Sequence, residues 1–250
     1  MSKQPHIQCG PGDTTPYVLL PGDPARIRRI AEMLDNPREV AYNREFLTMV
    51  GEYGGIGVTV TSTGCGAPSM CIALEEHVRL GARVAIRVGS CGALQPGMDC
   101  SDLVVATAAA RCDGTTALYA DPAFPAVADW GVTAELVDAA RGTSGRVYVG
   151  PVHSHDSFYV DDYQAIRQRW SRVGLLASDM ETGALFVIGR IRGVRTGSIL
   201  NVVVPFEGHT DDGIARFQKG EEVTRRGERN SILAALKALH AVAVLLEGPR

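Results

Sequence analysis

The chain has 250 residues, a hydrophobic fraction of 45% and a formal net charge of -3. That length can bury the core of one α/β domain, and the acid-leaning balance excludes a polycationic nucleic-acid surface. Met1-Ser2-Lys3-Gln4-Pro5-His6 lacks the apolar region of a signal peptide, and the apolar stretches are broken by Gly, Arg or polar residues short of the ~20 needed to span a bilayer, so a cytoplasmic protein is expected.

In chain order, Tyr17 to Leu20 is a short apolar strand running into Pro21-Gly22-Asp23-Pro24. A helix is predicted from Pro24 to Leu34, because Ile27, Ile30, Ala31 and Leu34 recur at the helical period. Gly57 to Ser62, rich in Val and Thr, is predicted as a strand. Pro68 to Leu80 follows as a helix opened by a proline in its first turn. Arg83 to Val88, Leu103 to Ala108 and Arg146 to Val149 are further strands, with a helix over Thr133 to Ala140. Helices are expected over Tyr163 to Trp170 and Met180 to Ile191, and a strand buried on both faces over Gly197 to Val204. Phe206 to Gly220 is polar and reads as a loop or lid, and Arg226 to Leu246 as a long amphipathic helix. Strands alternating with helices predict a single α/β domain over residues 1–250, its central, mostly parallel mixed sheet flanked by helices. Cys9, Cys65, Cys71, Cys91, Cys100 and Cys112 show no CxxC pair or zinc spacing. They are expected as small core residues rather than ligands or a catalytic thiol.

Three arginines adjoin short polar-glycine segments: Arg26 after Gly22-Asp23-Pro24, Arg44 in Tyr42-Asn43-Arg44-Glu45-Phe46, and Arg87 in Arg87-Val88-Gly89-Ser90-Cys91-Gly92. A guanidinium fork beside exposed amides is what a phosphate site requires. Ligands of open parallel sheets sit beyond the carboxyl ends of strands. Turns at Gly22 and Ser90 are therefore expected on one rim, their amides and the Ser90 hydroxyl completing a cradle. Taken singly, Arg26 and Arg44 also fit ion-paired surface side chains. Arg87 differs, since it interrupts Val84-Ala85-Ile86-Arg87-Val88, where an unpaired charge is costly.

Ser178-Asp179-Met180-Glu181 lies where a strand hands over to a helix. Its carboxylates fit helix-dipole partners; equally, Glu181 fits an acceptor for a sugar diol, with Met180 packed on the sugar. Asp156-Ser157-Phe158-Tyr159 fits either core filling or a stacking platform for a planar base. Thr63-Gly64-Cys65-Gly66-Ala67-Pro68-Ser69 approaches a dinucleotide fingerprint. Ser69 stands at its third glycine and no acidic residue follows at the usual distance, so a tight strand-to-helix turn is expected instead.

In order and spacing these segments resemble the hexameric nucleoside phosphorylases, comprising uridine phosphorylases and the purine nucleoside phosphorylases of bacteria and apicomplexan parasites. Besides those segments, the resemblance takes in Gln4-Pro5-His6, Ala41 to Phe46 and Phe124-Pro125-Ala126-Val127-Ala128-Asp129, and covers nearly the whole chain. It implies a nucleoside-phosphorylase-like fold and a pentosyltransferase converting a nucleoside and phosphate to free base and ribose 1-phosphate. Gly22, Arg26, Arg87 and Ser90 would bind phosphate. Arg44 would reach the same phosphate from a neighbouring subunit, and His6 would cross to the ribose 5′-hydroxyl. Asp179, Met180 and Glu181 would hold ribose, and Phe158, Val203 and Val204 would face the base. Arg87 and Glu181 would carry catalysis. The co-substrate would be inorganic phosphate, with no organic cofactor. Glu45 and Ser69 match positions that hold a monovalent cation, potassium, between subunits. Shared sites imply at least a dimer and, by the family's habit, a trimer of dimers, with neither nucleic acid nor membrane as partner.

The sequence departs from both branches of the family. Purine enzymes carry an aspartate near purine N7 where this chain has Val202-Val203-Val204-Pro205-Phe206, leaving Glu207, Asp211 or Asp212 to enter from the loop. Uridine enzymes carry a Gln and an Arg shortly after the Phe-Tyr pair; here the candidates are Gln164 and Arg167, at another spacing. Asp179 stands where many relatives have Glu. Uridine is the slightly favoured substrate, with a purine or a modified nucleoside as alternatives. A hydrolytic nucleosidase, which leaves the arginines without purpose, and a nucleoside-binding protein without turnover are the remaining readings.

Overall fold

Val, Ile, Leu and small apolar residues build one ten-stranded sheet in the computed structural model, which describes residues 2–208, 215, 219 and 222–248. The strands are β1 (Tyr17–Leu20), β2 (Asp35–Asn43), β3 (Phe46–Tyr53), β4 (Ile56–Thr61), β5 (Val84–Ala93), β6 (Leu103–Cys112), β7 (Ala126–Val127), β8 (Val147–His155), β9 (Ala177–Asp179) and β10 (Arg195–Val204). Around them lie α1 (Pro24–Ala31), α2 (Ala67–Arg79), α3 (Thr115–Tyr119), α4 (Trp130–Arg141), α5 (Tyr163–Arg172), α6 (Thr182–Arg192) and α7 (Glu222–Glu247).

The strand order is β10-β6-β8-β9-β5-β1-β4-β3-β2, and β10 also pairs with β5. That extra pairing closes β5, β9, β8, β6 and β10 into a ring, from which β1, β4, β3 and β2 extend as an open sheet. The pairings of β1 with β4 and β5, β5 with β10, and β8 with β6 and β9 are parallel. Those of β2 with β3, β3 with β4, β5 with β9, and β6 with β7 and β10 are antiparallel. The antiparallel share is larger than strand–helix alternation suggests, because β2, β3 and β7 are not among the predicted strands, β9 runs antiparallel to β5 and β10 returns antiparallel to β6. β2 is an edge strand whose first five residues are exposed, so it lacks an apolar face.

Several predicted boundaries move. The first helix ends at Ala31 rather than Leu34. The strand expected to stop at Val88 runs on to Ala93, because β10 and β9 pair with residues 89–93. Gly89-Ser90-Cys91-Gly92 is therefore strand and not turn. Likewise β8 continues to His155, delivering the chain directly to Phe158. Of the expected loop from Phe206 to Gly220, residues 206–208 lie in a turn; Asp211 and Asp212 lie outside the described residues.

The sheet is covered on both faces. One apolar layer unites Ile27, Ile30, Val132, Leu136, Ile232, Leu236 and Leu239 from α1, α4 and α7. The other unites Met70, Leu74, Leu185, Phe186 and Val187 from α2 and α6. By length and composition α7 is apolar enough to cross a membrane, yet Ile232, Leu236, Leu239 and Val242 are core residues here. No disulfide forms among the described residues; Cys9, Cys71 and Cys91 are buried as expected, whereas Cys65 and Cys112 are exposed.

Candidate active site

A cavity of about 470 Å³ opens at the ends of β1, β5, β9 and β10. The β1–α1 turn contributes Gly22 and Arg26, β5 contributes Arg87 and Ser90, and the β9–α6 junction contributes Asp179, Met180 and Glu181. Phe158, Val203 and Val204 also line it. Residues far apart in sequence thus meet at one cavity.

Arg87 carries the densest charge. Its Nε donates to Asp179 Oδ2 at 2.9 Å and its Nη2 meets Glu181 Oε2 at 2.5 Å. Its Nη1 is buried and has no hydrogen-bond partner among the described residues. Burial opposes charge on the guanidinium, but Glu181 and Asp179 outweigh it and hold Arg87 protonated. Gly89 makes room for this fork: a Cβ there would lie 2.7 Å from Arg87 Cζ and 2.6 Å from Leu200 Cδ2. The expected cost of a charge within an apolar strand is met by pairing across β5 and β9.

Asp179 Oδ2 also accepts from the Thr182 amide at 3.0 Å and the Thr182 hydroxyl at 2.6 Å, and that hydroxyl meets Ser198 Oγ at 2.9 Å. The carboxylate therefore ties Arg87 to the first turn of α6 and to β10. Glu181 Oε1 accepts from the Gly66 amide at 2.6 Å. Burial raises the Glu181 carboxyl above its usual range; Arg87 pulls the other way, while Asp179 adds to the rise. The expected tight turn from Thr63 to Ser69 thus supplies an amide to the site.

Arg26, also buried, donates through Nε to Glu228 Oε1 at 2.5 Å, through Nη1 to Val88 O at 2.7 Å and through Nη2 to Ser90 Oγ at 2.8 Å. Glu228, on α7, takes a second bond from Arg29 at 2.8 Å. Sequence reasoning missed Glu228, since one acid in an amphipathic helix gives no sign of burial. His155, Tyr163, Ser178, Gly64 and Cys65 were missed as lining residues too.

Sheet register orders the cavity. Along β5, Arg87 pairs with Ser198, Ser90 with Asn201, and Gly92 with Val204 and Ser178. The arginine and serine therefore precede the apolar end of the cavity on the same strand. Burial lowers the His155 pKa, leaving a neutral ring at neutral pH. Burial likewise raises the Cys65 and Cys91 thiols, which disfavours a catalytic thiolate.

Seven candidates do not line this cavity. Arg44 is exposed at the tip of the β2–β3 hairpin, with φ +54°. His6 is held by Glu76, its Nδ1 lying 2.7 Å from Oε1. Ser69 donates to Glu45 Oε1 at 2.9 Å. Neither Gln164 nor Arg167 lines it: Gln164 is exposed, and Arg167 donates to Phe206 O at 2.8 Å. Glu207 is exposed.

Residues 16–242 match the model of the phosphorylase superfamily. The chain is 38% identical to guanosine phosphorylase of Halorubrum lacusprofundi, over 98% of this chain and all of that protein. It is equally 38% identical to uridine phosphorylase of Thermococcus kodakarensis, over 98% of this chain and 87% of that protein. The crystal structure of Vibrio fischeri uridine phosphorylase complexed with 6-hydroxy-1-naphthoic acid superposes with a TM-score of 0.90 at 41% identity, covering 96% of this chain and 98% of that one.

Proposed function

The chain belongs to the phosphorylase superfamily, as one of its nucleoside phosphorylases, and on that premise we propose the reversible phosphorolysis of uridine to uracil and ribose 1-phosphate. The observation that carries this reading is the convergence of Arg26, Arg87, Ser90 and Gly22 with Glu181 and Phe158 on one cavity. Two buried guanidinium groups have no role in hydrolysis by water, but they are what a phosphate dianion needs.

In this reading Gly22, Arg26, Arg87 and Ser90 bind phosphate, and Glu181, Met180 and Asp179 hold ribose. Phe158, Val203 and Val204 face the base. The glycosidic bond loosens toward an oxocarbenium-like sugar. Bound dianion stabilises that cation and then captures C1′; the protein contributes position and fixed charge. The departing base needs a hydrogen bond or a proton. Lining carboxylates among the described residues are Asp23, Asp179 and Glu181, and the last two are engaged by Arg87. Neutral His155 and the hydroxyls of Tyr163 and Ser178 line the same cavity as hydrogen-bonding groups for the base edge. Such donors suit uracil, whose anion spreads its charge over two carbonyls, better than a purine that leaves protonated at N7. Guanosine is the second reading, favoured by the equally identical guanosine phosphorylase.

Arg44 and His6 act, in this reading, in the site of a second copy, making a dimer the smallest active unit and a trimer of dimers the expected assembly. The Glu45–Ser69 pair supports a potassium ion held between copies, since a carboxylate and a hydroxyl are two of the oxygen ligands it needs. Nucleosides and phosphate meet in the cytoplasm, the compartment this reading assigns. Base release from uridine, thymidine, cytidine, inosine, adenosine and guanosine, with and without phosphate, tests the proposal. Phosphate-dependent release of uracil is expected; release that ignores phosphate overturns it.

A further inference from the structure

Next to the first cavity lies a second of about 440 Å³. The two share His155, Tyr163 and Ser178 as walls, so the second continues the first beside the segment that carries Phe158. None of the residues assigned to phosphate or ribose lines it.

Flat rings dominate its walls. His155 stacks on His153 with ring centroids 4.7 Å apart, and His153 stacks on Trp170 at 4.9 Å. The guanidinium of Arg169 lies 5.2 Å from the Trp170 ring centroid. Arg167, the other cation, donates to the Phe206 and Ala93 carbonyls at 2.8 and 3.3 Å. The carboxylate Asp156 Oδ2 accepts from the Gly114 amide at 2.7 Å. Charged groups of this chamber are thus already engaged, while the stacked rings of His153, His155 and Trp170 and the side chains of Leu94, Val160 and Ile166 line the space. Burial keeps both histidines neutral, with the His153 pKa lowered to about 4.

We propose that this chamber receives a flat, uncharged substituent carried by the base, so that the preferred substrates are nucleosides whose heterocycle bears an aryl-sized group. Ring walls favour a stacked or edge-on aromatic guest, and burial of its apolar area supplies the preference. This inference rests on the phosphorolysis reading and narrows its substrate.

The test compares phosphate-dependent release from 5-phenyluridine and 5-methyluridine, and from N6-benzyladenosine and adenosine, with plain uridine alongside. At least one arylated nucleoside is expected to exceed its partner in kcat/KM by about tenfold. Ile166→Trp, which fills the second cavity without touching the first, should erase that preference and leave uridine turnover within about twofold. Should Ile166→Trp fail to fold, Trp170→Leu, which removes the stacked wall, should lower the preference instead. Arylated nucleosides released no faster than their partners overturn the chamber's role while leaving uridine phosphorolysis intact. So does a variant that slows parent and arylated substrates alike. Absence of phosphate-dependent release from every nucleoside overturns phosphorolysis itself, and this inference with it.

Discussion

Glu228 on α7 holds Arg26 by its Nε at 2.5 Å, across 202 residues of chain, and the same carboxylate oxygen takes Arg29 at 2.8 Å. Two guanidinium groups share this buried carboxylate, Arg29 also meeting Asp23 at 3.0 Å, and the Glu228 acid fixes where the Arg26 fork sits. Removing its charge should therefore loosen the fork more than it strengthens the field on phosphate. A charge-assisted bond is worth about 1.5–3 kcal/mol, or roughly 10- to 150-fold in affinity. Glu228→Gln should raise the KM for phosphate within that span and change the KM for nucleoside by less than about twofold. Phosphate saturation curves at fixed nucleoside read this directly; an unchanged phosphate KM would show that α7 does not position Arg26.

Arg87→Ala should do more than weaken binding. It strands Asp179 and Glu181 as neighbouring carboxylates in a dry site, and removing one member of a buried ion cluster costs about 3–5 kcal/mol. A lowered Tm together with loss of phosphate dependence is expected. Arg87→Lys separates charge from shape: it restores a cation but not the fork that spans both carboxylates, so stability should recover further than turnover. If Arg87→Ala keeps wild-type phosphate affinity, the phosphate site lies elsewhere.

The contrast between these two arginines shows what the sequence carried. Arg87 was legible because a charge inside Val84–Val88 conflicts with its surroundings, and such conflicts mark function. Gly22, Ser90, Met180, Glu181 and Phe158 were legible through segments whose order is that of a family. Glu228 was not, since its partner is 202 residues away and its helix is polar around it. Nor was β2, because its outer residues are exposed and carry no hydrophobic period. The ring closed by β10 pairing with both β5 and β6 is likewise a non-local choice that local patterning does not encode.

Arg44 sits exposed at the β2–β3 hairpin tip, away from the cavity lining of its own chain. If it serves the site of a neighbouring copy, Arg44→Ala and Arg87→Ala spoil different sites. Each pure variant should be nearly inactive. Mixed after subunit exchange, some assemblies carry a site with both arginines intact, and up to about a quarter of the activity should return by random pairing into dimers. No recovery, with exchange demonstrated by mass-tagged subunits, would place Arg44 outside the site.

His77 makes the fold itself pH-sensitive. The ring is buried, its Nε2 lies 2.8 Å from Thr61 Oγ1, and its Nδ1 has no partner among the described residues. Burial lowers its pKa from 6.5 to about 4. The unfolded chain therefore takes up a proton between those values that the folded chain refuses. The sign follows: the full contribution of the neutral ring is present above pH 6.5 and is lost progressively as pH falls toward about 4. At about 1.4 kcal/mol per pKa unit the loss is on the order of 3 kcal/mol. His77→Gln keeps a hydrogen-bonding side chain that does not titrate. The difference in unfolding free energy between wild type and variant, measured by denaturant titration from pH 7 to pH 4, should therefore shrink or change sign as pH falls. A difference that stays constant across that range would mean His77 gains its proton as readily folded as unfolded.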